Sequence, residues 1–347
     1  GPIMAKELDF DSVTLGYVFS AFGWSYAVAQ IPGGWFLDRF GSKLVYASCI
    51  FIWSLLTWMT GAIGFFSGFA AVASLFSLRF LIGIFKAPVF PANSRIVASW
   101  FPASERATAS AIFSSAQYAA TVFFAPLIGW LIRDFGWQSV YVLMGALGMA
   151  FLLVWRKLIH DPKDHPLANA AELAFIEQGG ALVNMDQDRK NGNRAKGQTL
   201  AHIRQLLTNR MMVGIYLGQY FTNALTYFYI TWFPVYLVRE KHMSILKAGF
   251  VSVIPALCGF AGGLLGGVIS DAMLRRGFSL TVARKTPIVI GMLLSMTMIA
   301  CNYIDAEAAV IFFLALSYFG KGVGAQGWAL NADTAPRQIA GLSGGLF

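Results

Sequence analysis

Nine apolar stretches of about twenty residues or more dominate this chain, at roughly 14–36, 44–66, 71–99, 107–132, 137–157, 211–238, 247–273, 286–304 and 308–331. About twenty apolar residues in a helix cross the ~30 Å hydrocarbon core of a bilayer. In lipid each backbone N–H and C=O must be satisfied within its own segment, so stretches of this kind form helices. A tenth begins at Gly341. Charged residues make up only 12% of the 347, about half the share in a soluble domain, so this composition cannot build a water-facing surface. The chain reads as an all-α integral membrane protein, with the lipid bilayer as its solvent.

The formal net charge of +9 reflects topology. Of the 26 Lys and Arg, seventeen fall in loops on one side of the predicted spans and five on the other, leaving four inside the spans. An excess of Lys and Arg marks the cytoplasmic side, so the polar loop 158–210 is cytoplasmic and nucleic-acid binding is not expected. Cys49, Cys258 and Cys301 lie in apolar spans, where a thiol acts as a small hydrophobe. No metal spacing, disulfide framework, paired-carboxylate site or catalytic triad is visible, so neither an enzyme nor a cofactor is expected. The N-terminus carries no signal-peptide pattern.

Five spans precede the polar segment and four or five follow it, giving an N-terminal bundle (1–157), a linker (158–210) and a C-terminal bundle (211–347). Within the linker, Ala168–Gln178 is expected to form a short amphipathic helix and Asn184–Gly197 a flexible tether. The halves echo each other. Gly34-Trp-Phe-Leu-Asp38-Arg39-Phe-Gly41-Ser-Lys43 closes the first span, and Gly267-Val-Ile-Ser-Asp271, followed by Arg275-Arg276-Gly277, closes the seventh. Such an echo implies two parallel repeats. Its numbering places one helix before residue 1 and two beyond the far end, so the chain is expected to be a twelve-helix protein, two six-helix bundles, lacking its first helix and last two.

Arg79, Lys86, Arg95 and Lys321 sit inside apolar stretches that contain no carboxylate. A cation near mid-bilayer costs about 2.5–3.5 kcal/mol on insertion scales, so it faces a cavity or a partner. The simplest missing partner is a small anionic substrate. Arg79, Gly83, Lys86 and Phe90 share a helical face, and Arg79 and Lys86 stand about 10 Å apart along it, a separation that suits the two ends of a dicarboxylate. The alternative is a structural pair whose acids lie elsewhere. Arg95 lies near the cytoplasmic end, where snorkelling to water is expected. Lys321, between Gly320 and Gly322, is the better cavity candidate.

Asp38 is suited to capping a neighbouring helix or pairing with a base, and the Gly34–Lys43 motif with Asp271 is read as a conformational latch or, more plainly, as topogenic charge with a turn. Gly259, Gly263 and Gly267, with Gly262 and Gly266, form small-residue rows suited to close helix packing. Tyr26, Gln117, Asn223, Tyr227, Gln326 and Trp328 are polar groups within spans, able to bind sugar hydroxyls or to join helices. Pro32, Pro88 and Pro91 are expected to bend their helices.

The motif Gly34, Asp38, Arg39, Gly41 and Lys43 resembles the signature loop of the major facilitator superfamily. The stretches 16–23, 30–43, 94–101 and 231–234, with Gln117-Tyr118, 243–250, 333–336 and 341–347, resemble its anion:cation symporter branch, in particular bacterial glucarate/galactarate transporters. The resemblance runs through essentially the whole chain. It implies a monomer in the bacterial inner membrane that takes up a sugar acid with protons by alternating access, with Tyr26, Arg79, Gln117 and Trp328 lining a central cavity. Tyr227 and Lys321 join them as substrate-site candidates from the reading of the residues. Members of this branch usually carry Glu where this chain has Lys86, a position expected to be proton-linked. A Lys cannot serve there as an anionic base, which implies a conformational lock, altered coupling or a neutral amine. Competing readings are an importer of another organic anion such as galactonate or a hexuronate, a metabolite or drug antiporter on the same fold, and an anion sensor. The short, polar 158–210 loop argues against the sensor.

Overall fold

The computed structural model describes residues 7, 11–185, 199–229, 233, 236–237, 241, 245–304 and 306–347. Most of the expected tether, and residues 231, 232, 234, 243 and 244 of the family stretches, lie outside them. The described secondary structure is helical. α1 (Ser12–Phe40), α2 (Ser42–Thr60), α3 (Gly68–Lys86) and α4 (Val89–Trp100) are followed by the long α5 (Arg106–Leu158). α6 (Ala170–Gln178) and α7 (Thr199–Thr208) belong to the linker region, and α8 (Arg210–Tyr227), α9 (Ile245–Arg275), α10 (Leu280–Ser295), α11 (Glu307–Val323), α12 (Gly327–Thr334) and α13 (Ala340–Leu346) follow.

Six segments among the described residues are long and apolar enough to cross a membrane: Ser42–Phe65, Gly68–Trp100, Leu127–Leu158, Val253–Arg275, Leu280–Asn302 and Glu307–Thr334. α1 runs for 29 residues through Pro32, beyond the length a span needs. Large apolar side chains face outward along the bundle, among them Trp24, Val28, Phe69, Phe123 and Leu153, as lipid contact requires. The stretches expected at 107–132 and 137–157 are the two helical parts of α5, separated at Gly136, whose non-helical φ 79 and ψ 166 glycine adopts without a Cβ clash. The linker helix starts where expected: the Asn169 side chain accepts the Glu172 N–H at 2.8 Å, a standard N-cap.

The glycine rows on α9 set the helix spacing. A Cβ on Gly262 would lie 2.2 Å from Phe319 O and one on Gly266 2.4 Å from Val323 O, so this row seats α11 within the C-terminal half. A Cβ on Gly267 would lie 2.7 Å from Ala111 Cβ, so the other row seats α5 across the interface between the halves. The packing role read from the small-residue spacing is therefore the observed one.

Candidate functional site

Two layers of the molecule stand out: a buried polar cluster at one end of the helices, where the motif read as a latch lies, and a set of cations nearer the middle of the helices. The latch starts with the Gly34–Lys43 motif. Gly34 lets α1 approach α13 so closely that a Cβ there would lie 2.2 Å from Gly341 O. Asp38, one turn later, accepts the N–H groups of Gly341 at 2.9 Å and Leu342 at 2.8 Å, and pairs with Arg95. Gly41 ends α1 with φ 84. Arg39 is exposed and rests over the Trp35 and Phe40 rings, and Lys43 lies at the start of α2.

The second half repeats the arrangement. Asp271, fully buried, accepts the N–H groups of Ala107 at 3.2 Å and Thr108 at 2.7 Å at the start of α5. It pairs with Arg284 at 2.7 Å. Arg284 also binds Asp333 at 2.7 Å, and Asp333 in turn takes Arg106 at 2.8 Å. Arg106 donates further to the carbonyls of Phe101, Ala98 and Gly180, so the start of the linker is tied to the same network. In both halves, then, an Asp at the end of one helix receives the first N–H groups of a helix from the other half while a buried Arg holds its charge. Both aspartates therefore join the two halves through helix N-terminal N–H groups.

Three expectations about cations change here. Arg95 does not snorkel: it is 1% exposed, its carboxylate lies on a different stretch, and its Nε donates to Ser42 at 3.1 Å. Arg106 and Arg284, counted as loop charges, are buried. Periodicity could not find these partners, because each pair joins different helices, 13 residues apart for Arg284 and Asp271, 57 for Arg95 and Asp38 and 227 for Arg106 and Asp333. The repeat itself held the signal, since a second Asp at Asp271 calls for a second buried base.

The other three cations have no carboxylate partner among the described residues, and each lies against aromatic rings. Arg79 donates to Tyr141 Oη at 2.9 Å, lies 5.5 Å from the Phe19 ring and 5.8 Å from that of Tyr141, and its buried Nε has no partner. Lys86 lies 6.0 Å from the Phe22 ring and within electrostatic reach of Arg79. Lys321 donates to Tyr118 Oη at 2.6 Å and faces the rings of Tyr118 and Tyr318. A cation over an aromatic face gains about 0.5–2 kcal/mol, less than the several kcal/mol that desolvation costs a buried ion such as Lys321, whereas Arg79 is half-buried and Lys86 exposed. These three sites thus retain positive charge that the described protein groups do not neutralise.

The predicted substrate residues fall into separate groups. Arg79 and Lys86 flank the tight contact between α3 and α1, where a Cβ on Gly83 would lie 2.0 Å from Ser25 Oγ. Tyr26, half-buried on α1, is within electrostatic reach of Tyr227 on α8. Gln117 and Lys321 line one recess between α5 and α11, with Ser114, Ser115 and Tyr118. Trp328 stands apart from these groups: it stacks on Phe90 at 5.7 Å and meets Phe347 at 4.6 Å, and its carbonyl accepts from Ser94. Phe90, expected on the Arg79 face, reaches Trp328 because the chain turns at Ala87-Pro88 between α3 and α4. Gln326, a weaker candidate, is fully buried and donates to Gly263 O at 3.4 Å.

The model of the Major Facilitator Superfamily matches residues 1–347. The chain is 59% identical over 347 residues to the "Probable galactarate/D-glucarate transporter GudP" of Escherichia coli (strain K12), covering 100% of this chain and 77% of that relative. It is 40% identical over 343 residues to the "D-galactonate transporter" of Escherichia coli O6:H1, covering 99% of this chain and 78% of that one. Among solved structures, the proton:xylose symporter XylE superposes with a TM-score of 0.72 at 14% identity, over 99% of this chain and 78% of that chain, a likeness of fold. Match, identities and fold agree with the latch motif and its repeat: the chain belongs to the Major Facilitator Superfamily and is a membrane transporter with that family's fold, not an enzyme.

Proposed function

We propose that this protein is a secondary active transporter that imports a sugar acid, a glucarate- or galactarate-type dicarboxylate, together with protons by alternating access. The observation that carries this is the contrast between its cations. Arg95, Arg106 and Arg284 at the cytoplasmic end each hold a carboxylate, whereas Arg79, Lys86 and Lys321 nearer mid-span hold rings and hydroxyls. An anionic cargo supplies the charge those three lack. The printed names of the relatives at 59% and 55% identity, both galactarate/D-glucarate transporters, point to the same class.

The halves 1–157 and 211–347 act as two bodies joined by the linker 158–210, in a bacterial inner membrane with the linker cytoplasmic and the protein a monomer. The latch and the Phe90–Trp328–Phe347 layer close the cytoplasmic face, which corresponds to a state open to the opposite side. Breaking the cap contacts of Asp38 and Asp271 would open it. Arg79 anchors a carboxylate, and Tyr26, Gln117, Tyr227 and Trp328 serve hydroxyls and the sugar-acid backbone. Lys86 occupies the coupling position with the wrong charge for a base. Protein in liposomes, loaded with unlabelled sugar acid, should exchange labelled glucarate or galactarate. Failure of every sugar acid to exchange removes the proposal. A monocarboxylate cargo is the second reading, favoured by the 40% identical D-galactonate transporter, and the same assay separates the two.

A further inference from the structure

Lys321 differs from the other two unneutralised cations in its setting. It is 3% exposed, whereas Arg79 is half-buried and Lys86 exposed. It projects from α11 of one half onto Tyr118 of α5 in the other, so whatever it holds is held between the halves. An ammonium group has three donors, and among the described residues one of them is used, on the Tyr118 hydroxyl. The recess beside it is lined by Ser114, Ser115 and Gln117 of α5 and by Gly263 of α9. The buried Ser114 Oγ has no partner. Unused donors from two halves of the molecule thus meet in one small recess.

We propose that this recess is the subsite for one carboxylate of the cargo, and that Lys321 makes the protein select dicarboxylates over otherwise identical monocarboxylates. The inference rests on the sugar-acid reading above and adds to it the site of the second charge. A carboxylate is acceptor-only, with about four lone-pair sites, and so matches the spare Lys321 N–H groups and the Ser114 hydroxyl. Against the spare Lys321 N–H groups it would supply a charged acceptor beside the neutral Tyr118 oxygen, and charge-assisted hydrogen bonds are roughly twice as strong. The walls limit the occupant to an end group. A Cβ on Gly263 would lie 2.6 Å from Ser115 Oγ and one on Gly322 2.3 Å from Gly259 O, so the helices around the recess are already in close contact. Gln117, exposed and on the same wall, marks the open side toward the rest of the cargo.

The test is competition in counterflow, with labelled glucarate displaced by unlabelled glucarate or by its monoamides, which keep length and hydroxyls but lose one charge. In the unsubstituted protein glucarate should compete about tenfold better than the monoamides or more, the scale of one charge-assisted hydrogen bond. In Lys321→Met, which keeps the chain length without the charge, that preference should collapse while the monoamides still compete. Equal competition in the unsubstituted protein overturns the proposal without any variant. So does a Lys321→Met protein that retains the preference, or one in which both competitors weaken by the same factor, the result expected of a structural strut. Should Lys321→Met not fold, Tyr118→Phe leaves the ammonium in place and should keep the preference, and its loss there is equally fatal. If no sugar acid exchanges at all, the parent reading falls and takes this one with it. If exchange occurs without charge preference, only this one falls.

Discussion

Replacing Asp38 by Asn separates the two jobs of that carboxylate. Its pair with Arg95 lies within one half and travels with it, whereas its bonds to the Gly341 and Leu342 N–H groups cross to the other half. Only interactions that differ between two states shift the balance between them. A hydrogen bond to a charged group contributes about 1.5–3 kcal/mol and a neutral one about 1 kcal/mol, and Asn keeps one amide oxygen as acceptor. The contact between the halves at this end should therefore weaken by about 2 kcal/mol, roughly a thirtyfold change in the ratio of open to closed. Asp271→Asn should give a similar shift through Ala107 and Thr108. The two sites share no partner, so the double variant should approach the sum, on the order of a thousandfold. Each variant also removes the charge partner of a buried Arg, and breaking such a pair costs about 3–5 kcal/mol, so thermal stability should fall and must be measured separately. Spin labels at Glu105 and Arg276, exposed near the same end of the two halves, read the opening as a distance distribution. Open-state populations within about twofold of the unsubstituted protein in both single variants would refute the reasoning, since that leaves no room for the differential cap energy.

Lys86→Glu places a titratable acid where the sugar-acid reading calls for one, and should confer accumulation driven by an inward proton gradient in liposomes; no gain in accumulation counts against that role. Arg79→Gln removes an unneutralised cation and should weaken sugar-acid binding about ten- to a hundredfold, seen as a smaller ligand-induced thermal shift, and an unchanged shift would exclude the anchor role. Gly34→Ala and Gly262→Ala add the same atom with different consequences. At Gly34 the clash lies between the halves and should shift the labels toward the open distance. At Gly262 it lies within the C-terminal half and should lower stability by about 1–3 kcal/mol without changing the distance distribution. The same response from both variants would contradict the assignment of these contacts.

How far each feature could be read in advance follows from its range along the chain. Helix positions, the linker helix at Ala170–Gln178 and the packing role of the α9 glycines are local or periodic, and the sequence displays them directly. The break at Gly136 was legible only as a gap between two stretches, and the φ of 79 that bends the chain there is a property of the folded backbone. The latch motif was legible as a motif because it recurs, Asp38 in one half and Asp271 in the other. Its partners were not. Arg95 looked unpaired because its carboxylate is 57 residues away, and Arg284 looked like loop charge although it is fully buried.

The candidate site divides in the same way. That Arg79, Lys86 and Lys321 sit in apolar stretches is written in the order of residues, and the cost of burying charge makes them notable wherever they point. That they rest on rings while Arg95, Arg106 and Arg284 rest on carboxylates was decided by tertiary structure. By itself the sequence determined that this chain enters a membrane and that its motif recurs in the second half, because hydrophobic length and residue spacing are properties of each segment alone. Only the fold decided which charges remain unneutralised, because a salt bridge depends on distance in space, and partners from 13 to 227 residues apart meet only when the helices that carry them pack.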